Sequence, residues 1–502
     1  MERKRVNILW LMSDQHNANC LGVEGHPDVR TPNLDRIAER GTRFTKAYCN
    51  NPICAPSRAS FLSGQYVHTH GISGNFVRGV ESDAPNLGRL FRKNGYETAL
   101  IGKAHLPAQW VGASFEYVRF SDLCDATPDD PTTCHYFQDL VEAGLADLYD
   151  QGRHHPGDPG YGDRAFVSLL PEEYSLEAWT GRKAVEFLEQ RDRERPFFLK
   201  VSFQRPHDPY APPVERMGDY DPEALSLPDN ACDYLDRKFS GKPKFQQEYV
   251  RQEKGMGYPF RSQSVAELKE QMAAHFTLIT MIDDAVGEVL RAVEEQGQLD
   301  NTVIVYTADH GDFAGEHGLM LKNFGIYESI HRIPFLVAGS GVPSRTSDAL
   351  IESVDLYPTM AALAGLECEP EVDGTSRVPE ILTGVGGLES TVCEWEFMAP
   401  QSKVFAIRDS RYRFVWYADS LEDGELYDHE EDPGEMTNRF ADPDLAEIRE
   451  KFLKQIDQFR TEGRVVHGWN DDSGCVALVK NSPTRRLQAG VTKWSKICLQ
   501  EE

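Results

Sequence analysis

The segment from Cys54 to Gly64 combines a nucleophilic side chain with features that favour anion binding. Pro56 is typical of the first turn of a helix, and Gly64 is typical of the residue that ends one. This pattern predicts a short helix with Cys54 just before it, where unpaired N–H groups and the helix dipole favour a negative charge. Arg58 adds a permanent positive charge one turn further on. The expected chemistry is attack by Cys54 on an anionic group.

Further polar residues follow apolar segments that are typical of buried strands. Carboxylates and amide oxygens can bind a divalent cation, whereas lysine and histidine can bind an oxyanion or exchange a proton near neutral pH. Because open α/β sheets bind ligands outside the carboxyl ends of their strands, we expect these residues to meet at one edge. They are Asp14 and Gln15, Lys103 and His105, His207, and Asp309 with His310.

Short apolar segments alternate along the chain with helical patterns, as in proteins built from strand–helix–strand units. The predicted fold class is therefore α/β, with a large, mostly parallel sheet that has helices on both faces. Strands are predicted at 6–12, 98–101, 197–203, 302–307, 335–338, 405–408 and 412–417, and helices from Pro32, from Leu87, and at 176–191, 265–296, 355–363 and 444–460.

The composition changes near residues 366–390, where Glu, Pro and Gly are frequent. We therefore expect a catalytic domain at 1–385 and a smaller C-terminal α+β domain at 386–502. Residues 464–502 show only weak patterning. This last segment is expected to be a frayed tail or an arm for homo-oligomerisation.

Cys-x-Pro-Ser-Arg at residues 54–58, followed by Leu-x-Gly, resembles the signature of the formylglycine-dependent sulfatases of the alkaline phosphatase superfamily. The segment from Asp309 to Glu328 continues the resemblance with Asp-His-Gly, Glu-His-Gly, a lysine and Tyr-Glu. The resemblance implies that a formylglycine-generating maturation enzyme oxidises Cys54 to an aldehyde, whose hydrate attacks sulfur. It also implies an alkaline phosphatase-like fold and the hydrolysis of small-molecule sulfate monoesters to an alcohol and inorganic sulfate.

The same resemblance implies a divalent cation between Asp14, Gln15, Asp309, His310 and the matured residue 54. Ca²⁺ is the expected ion, with Mn²⁺ and Mg²⁺ as alternatives. Asp309 would also accept the proton of the attacking hydroxyl. The chain departs from the family at Gln15, where a second acid is usual. An amide oxygen is an acceptable ligand for a hard cation, but it removes one negative charge.

The resemblance also implies roles for the remaining candidates. Arg58, Lys103 and Lys322 are expected to hold the non-bridging sulfate oxygens as a preorganised electrostatic site. His207 or Lys322 is expected to protonate the departing alcohol. His105 is expected to accept a proton from the second hydroxyl of the hydrated aldehyde, so that sulfate leaves and the aldehyde returns.

Charge and composition restrict the partners of the protein. The formal net charge of −27 argues against nucleic acid and against an anionic membrane surface. To bind a sulfate ester, such an acidic protein requires a locally basic pocket. No apolar segment is long enough to span a membrane and no cleavable signal peptide is recognised, so a cytoplasmic location is expected. The ten scattered cysteines are expected to be reduced, with Cys49–Cys54 and Cys124–Cys134 bridges left open.

Two alternatives to a sulfatase stay open. Relatives that hydrolyse phosphonate monoesters and phosphodiesters use the same formylglycine and also begin with Asp-Gln. By resemblance, those relatives have uncharged hydroxyl residues in place of Lys103 and His105, so sulfate monoesters are favoured. A non-catalytic binding protein would show a broken set of site residues, and only the second acid is missing here.

The residues above do not specify the alcohol of the substrate. Aryl, choline, sugar and alkyl sulfates would all use the same charged groups. The walls that select among them are expected in the loop-rich segments 70–85, 105–170 and 205–262, because long insertions in a compact domain often form such walls.

Overall fold

The computed structural model describes residues 5–75, 77, 80, 82–122, 134–151, 165–251, 264–322, 325–397, 402–418 and 423–462. Eight of the described strands form one sheet. They are β1 (Asn7–Asp14), β2 (Gly41–Tyr48), β3 (Glu97–Gly102), β4 (Tyr117–Phe120), β5 (Phe197–Pro206), β6 (Thr302–Ala308), β7 (Phe335–Gly339) and β8 (Arg345–Glu352). Their order is β4-β3-β5-β1-β6-β7-β2-β8. β7 is antiparallel to both of its neighbours and the other pairs are parallel, so the sheet is mostly parallel, as predicted.

The central strand β1 is buried along its whole length, which explains its nearly continuous apolar sequence. Successive side chains of a strand point to opposite faces of the sheet. Ile8, Trp10 and Met12 accordingly belong to the core on one face, and Leu9 and Leu11 to the core on the other. The sheet therefore separates two apolar layers.

Helices cover both faces, as the alternating pattern predicts. The described helices are α1 (Pro32–Arg40), α2 (Cys54–Ser63), α3 (Val67–His70), α4 (Leu87–Lys93), α5 (Ala108–Ser114), α6 (His135–Glu142), α7 (Ala146–Gln151), α8 (Leu176–Gln190), α9 (Cys232–Leu235), α10 (Lys244–Arg251), α11 (Val265–Glu295), α12 (Glu328–His331), α13 (Leu356–Leu363), α14 (Val378–Thr383) and α15 (Ala446–Glu462). α1, α8 and α11 contribute to the core that contains Leu9. α2, α4, α5 and α13 contribute to the opposite core. None of the helices in the described part of the chain is both long and apolar enough to cross a membrane.

A second, four-stranded antiparallel sheet forms the C-terminal domain. Its strands are β9 (Ser390–Phe397), β10 (Ser402–Asp409), β11 (Tyr412–Tyr417) and β12 (Gly424–Asp428), in the order β12-β11-β10-β9. α15 packs on one face, where Phe452 and Ile456 share a core with Phe414. The other face packs against Ile53 and Ile326 of the catalytic region. This second face therefore buries the residue that directly precedes Cys54.

Several local expectations differ from the structure. α2 begins at Cys54 itself and Ile53 is its N-cap, so the cysteine lies in the first turn rather than before the helix. Strands β2, β4, β8, β9 and β12 were not expected. β2 is interrupted by polar side chains such as Arg43 and Lys46, which weaken its apolar pattern. The boundary at residue 385 stays a prediction, and residues 464–502 lie outside the described part of the chain.

Gly102 is the last residue of β3 and therefore helps to position Lys103, which follows it. Its φ of +97° is strained for any residue with a side chain, and an added Cβ would lie 2.0 Å from the Ser202 carbonyl oxygen. We expect Gly102→Ala to lower the free energy of unfolding by at least about 2 kcal/mol. Urea unfolding measures this change.

Gly112 is the matched control for this substitution. It lies in α5, is exposed, and an added Cβ would meet nothing within 4 Å. Gly112→Ala should therefore stabilise the protein by about 0.5–1 kcal/mol through helix propensity. Equal unfolding midpoints for the two variants would contradict the close approach of β3 to β5.

Candidate active site

Four residues with metal-binding or nucleophilic side chains meet at the carboxyl edge of the large sheet. β1 and β6 are adjacent parallel strands, so Asp14 and Asp309 emerge side by side. α2 starts at the same edge and brings Cys54 beside them. Ligand atoms of Asp14, Cys54, Asp309 and His310 all lie within 4.8 Å of one another, and all four residues are buried. Three distant segments of the chain therefore supply one compact cluster.

The thiol of Cys54 is surrounded by groups that favour a negative charge. Its Sγ lies 3.2 Å from His310 Nε2 and 3.5 Å from Lys322 Nζ. Burial raises the pKa of the thiol, but the positive charges of Lys322, Lys103 and His310 outweigh burial. The pKa of Cys54 is therefore held well below its ordinary value. A negative charge at position 54 is therefore stabilised by its surroundings.

The imidazole of His310 is oriented so that one nitrogen faces the cluster. Nδ1 lies 3.0 Å from the carbonyl oxygen of Gly311, and only an N–H can bond there. In the neutral ring, Nε2 then carries the lone pair, and this atom faces Cys54 at 3.2 Å. A backbone contact of this kind fixes the tautomer that a metal-binding histidine requires.

Arg58 lies between the two carboxylates. Its side chain is fully buried, with Nε 2.7 Å from Asp309 Oδ2 and Nη2 3.1 Å from Asp14 Oδ2. Nη1 donates to Ser202 Oγ at 2.8 Å and to the Lys103 carbonyl at 3.2 Å. The guanidinium therefore holds the acids together and joins α2 to β1, β3, β5 and β6. The role expected for Arg58, a direct contact to sulfate, stays a prediction.

Lys103 and His105 reach the cluster from the end of β3. Lys103 Nζ lies 2.6 Å from Asp14 Oδ2, inside the protein. Burial and the nearby Cys54 raise the pKa of Asp14, but Lys103, His207 and Arg58 outweigh them, so that its pKa lies well below the ordinary value. His105 has a left-handed backbone with a φ of 48°.

Two polar contacts fix the orientation of His105. Its backbone N–H donates to Asp122 Oδ2 at 2.6 Å, and its Nε2 lies 3.1 Å from the carbonyl oxygen of Asn75. Nε2 therefore carries a proton, and Nδ1 is the acceptor nitrogen of the neutral ring. This arrangement suits a group that accepts a proton.

His207 approaches from the segment after β5. Its Nδ1 lies 2.8 Å from the carbonyl oxygen of Asp208 and 3.2 Å from the carboxylate of the same residue. Arg205 donates from Nη1 to the His207 carbonyl at 2.8 Å. The side chain keeps 24% of its surface exposed. His207 is therefore positioned at the boundary between the buried cluster and solvent.

Gln15 takes the place of the second acid and is held at both ends of its amide. Its backbone has a left-handed φ of 67°, and its N–H donates to Asp309 Oδ1 at 3.0 Å. The side-chain Nε2 donates to Asp312 Oδ2 at 2.5 Å, while Oε1 accepts from Lys322 Nζ at 2.5 Å. The amide oxygen therefore lies on the side of Lys322, whose Nζ also contacts Cys54.

The donor set fits a divalent cation. Two carboxylates, an amide oxygen and an imidazole nitrogen with its lone pair toward the cluster are ligands that a hard or intermediate divalent ion accepts. Within the described residues, the carboxylates of Asp14 and Asp309 face the buried charges of Arg58, Lys103 and Lys322. These residues alone sum to one positive charge, which is compatible with an anionic substrate and an anionic nucleophile.

Several residues that orient the site carry no motif and were not predicted. Ser202 accepts a hydrogen bond from Arg58, and the Tyr210 hydroxyl donates one to Asp312 at 2.9 Å. His105 is held by hydrogen bonds to Asn75 and Asp122. Ser202 could have been suspected because it lies on β5, next to the strand that ends at Asp14. The others lie in segments without periodicity.

Comparison with known proteins identifies the family. The profile of the sulfatase family matches residues 6–366, which is well over half of the chain. The chain belongs to the sulfatase family. A second profile, that of the N-sulphoglucosamine sulphohydrolase C-terminal domain, matches residues 315–462. The sulfatase fold thus includes the C-terminal sheet, and the chain is a sulfuric ester hydrolase.

Similar proteins include a choline-sulfatase of Rhizobium meliloti, 31% identical over 454 residues that cover 88% of this chain and 84% of the relative. An arylsulfatase of Clostridium perfringens is 29% identical and covers 96% of this chain and 99% of its own. Among solved structures, the phosphonate monoester hydrolase of Silicibacter pomeroyi superposes with a TM-score of 0.74 at 24% identity, covering 94% of this chain and 98% of its own. That last similarity demonstrates the fold, which a sulfatase and a phosphonate hydrolase share.

Proposed function

We propose that this sulfatase hydrolyses sulfate monoesters with a formylglycine, made from Cys54 by a maturation enzyme, and a divalent cation. The observation that carries the proposal is the buried cluster of Cys54, Asp14, Asp309 and His310 within 4.8 Å. A thiol placed among metal ligands at the start of a helix is unusual for a merely structural cysteine. The same position suits an anionic oxygen on residue 54.

The cation and the formylglycine would supply distinct chemistry. Asp14, Gln15, Asp309 and His310 would hold the cation, with Ca²⁺ favoured by the oxygen donors, and the cation would supply Lewis acidity at residue 54. Formylglycine would supply a hydrated aldehyde, with one hydroxyl for nucleophilic attack and a second that would let the aldehyde return without attack by another water. All other functions fall to side chains that the structure contains.

Lys103 and Lys322 are the groups we assign to the sulfate oxygens. Lys322 Nζ lies 3.5 Å from Cys54 Sγ, and Lys103 Nζ lies 2.6 Å from Asp14 Oδ2, so the two ammonium groups are close to the nucleophile. Buried cations in a fixed geometry stabilise developing charge with little reorganisation. Arg58 serves the same electrostatic site by holding the two acids, and its expected contact to the sulfate stays a prediction.

His105 and His207 are the groups we assign to proton transfer. His105 donates Nε2–H to the Asn75 carbonyl, which leaves Nδ1 to accept a proton from residue 54. As an imidazolium, His207 donates Nδ1–H to Asp208 and retains Nε2–H for the departing alcohol. General acid and general base are therefore separate residues, on different strand ends.

The direct test of this function is Cys54→Ala in protein coexpressed with a maturation enzyme. We expect hydrolysis of an activated aryl sulfate to fall by at least about a thousandfold, because the covalent route is removed. Urea unfolding should show that the fold survives. Cys20→Ala removes another buried thiol and should keep most of the activity. Turnover by Cys54→Ala near the wild-type rate would exclude the covalent mechanism.

Hydrolysis of phosphonate monoesters is the second candidate function, because the Asp14-Gln15 start is shared with that class. Lys103 and His105 favour sulfate. We expect Lys103→Ala to lower kcat/KM for an aryl sulfate by about a hundredfold, or about 3 kcal/mol, and to lower it much less for an aryl phosphonate monoester. Parallel steady-state assays on the two esters measure the ratio. Equal losses would remove Lys103 as the selecting residue.

A further inference from the structure

Asp312 is a buried carboxylate that accepts four hydrogen bonds beside the proposed metal ligands. Oδ1 accepts from the backbone N–H of Ala314 at 2.7 Å and of Leu321 at 3.0 Å. Oδ2 accepts from Gln15 Nε2 at 2.5 Å and from the Tyr210 hydroxyl at 2.9 Å. The two oxygens therefore have different partners. Oδ1 fixes the backbone of the loop from Ala314 to Leu321, whereas Oδ2 faces Gln15.

This arrangement determines which way the Gln15 amide points. A carboxylate accepts hydrogen bonds and donates none, so the NH₂ end of Gln15 must face Asp312. The amide oxygen then faces the opposite way, where it accepts from Lys322 Nζ at 2.5 Å. A flipped amide would place oxygen against carboxylate and NH₂ against ammonium, and both contacts would be repulsive.

We propose that Asp312 is a positioning residue that directs the Gln15 oxygen toward the divalent cation. The inference rests on the proposed function, because it takes Gln15 as a metal ligand. The negative charge that is missing at position 15 then lies one hydrogen bond further out, at Asp312. The neutral amide is the side chain that can face both a carboxylate and a cation.

Asp312 also determines the position of a second site residue. Asp312 Oδ1 accepts a hydrogen bond from the backbone N–H of Leu321, the residue directly before Lys322. Leu321 has a left-handed φ of 70°. The Phe313 N–H donates to the Leu321 carbonyl at 2.9 Å and closes the same loop. The Asp312 carboxylate therefore orients the Gln15 amide directly, and it positions Lys322, which donates to that amide, through the backbone of Leu321.

The substitution Asp312→Asn separates positioning from a purely structural role. The two backbone N–H groups require an oxygen at the Oδ1 position, so the new NH₂ must replace Oδ2 and face the Gln15 amide. The Gln15 amide then flips and turns its NH₂ toward the cation. We expect Asp312→Asn to weaken Ca²⁺ binding by about 10- to 100-fold, the range typical for groups that orient metal ligands.

A double-mutant cycle makes the test specific. Glutamate at position 15 has two acceptor oxygens, so it can face the new NH₂ and the cation together. Because a carboxylate at position 15 also repels Asp312, we expect Asp312→Asn to keep or raise Ca²⁺ affinity in a Gln15→Glu background rather than lower it. Calorimetric titration of the metal-free, full-length protein with Ca²⁺ provides a readout that does not depend on turnover. The same loss in both backgrounds would overturn the proposal.

Tyr210→Phe is the matched control. It removes the other donor to Oδ2 without placing a donor against Gln15, and Ca²⁺ affinity should stay within about threefold of the wild type. A loss as large as that of Asp312→Asn would show that loosening of the carboxylate explains the effect, and would overturn the proposal.

A structure of the wild-type protein with Ca²⁺ tests the same claim even if the variants fail to fold. Gln15 Oε1 should lie about 2.3–2.6 Å from the ion, with Nε2 still on Asp312. If the matured wild type hydrolyses an aryl sulfate but Ca²⁺ binds without the Gln15 oxygen, the positioning role of Asp312 is wrong and the proposed function is unaffected. Failure of that hydrolysis would instead remove the proposed function.

Discussion

The buried ion pairs of Arg58 are the interaction on which the site depends. Two carboxylates at adjacent strand ends repel each other in a low-dielectric interior, and each would be costly to bury alone. The guanidinium contacts Asp14 and Asp309 from α2 and also bonds to Ser202 and the Lys103 carbonyl. Removing one partner of such a buried pair typically costs about 3–5 kcal/mol. The helix that carries Cys54 is therefore fixed to four strands by one side chain.

This constraint resolves the contrast between an acidic protein and an anionic substrate. The net charge of −27 belongs to the whole chain. Around residue 54, Arg58, Lys103 and Lys322 exceed Asp14 and Asp309 by one charge, while the buried Asp312 lies one hydrogen bond further out, on Gln15. Burial strengthens this local field because little solvent screens it. The protein can thus be acidic overall and still bind a sulfate ester at one place.

The sequence predicts the large sheet well because its central strands are continuous apolar segments. β1, β5 and β6 are buried along their whole length and stand out from the helical patterns around them. β2 and β8 have polar residues within them and escape the same analysis. Tertiary pairing with β7 and with each other decides their structure.

The site residues divide in a similar way. Cys54, Asp309 and Lys322 lie in motifs, so their types and spacing predict a shared site. The groups that orient them act through contacts between distant residues, and no local pattern marks these contacts. The hydrogen bond from Gln15 to Asp312 joins residues 297 positions apart, which explains why an apparent loss of an acid at position 15 could not be interpreted from sequence.

The most direct test of the account is the chemical state of residue 54 in active protein. Peptide mass spectrometry can quantify the fraction of Cys54 in which sulfur is replaced by oxygen with the loss of two hydrogens. Preparations with different degrees of conversion are then assayed on one aryl sulfate. We predict a specific activity that is proportional to the converted fraction and close to zero without conversion. Full activity in protein that retains the Cys54 thiol would contradict it.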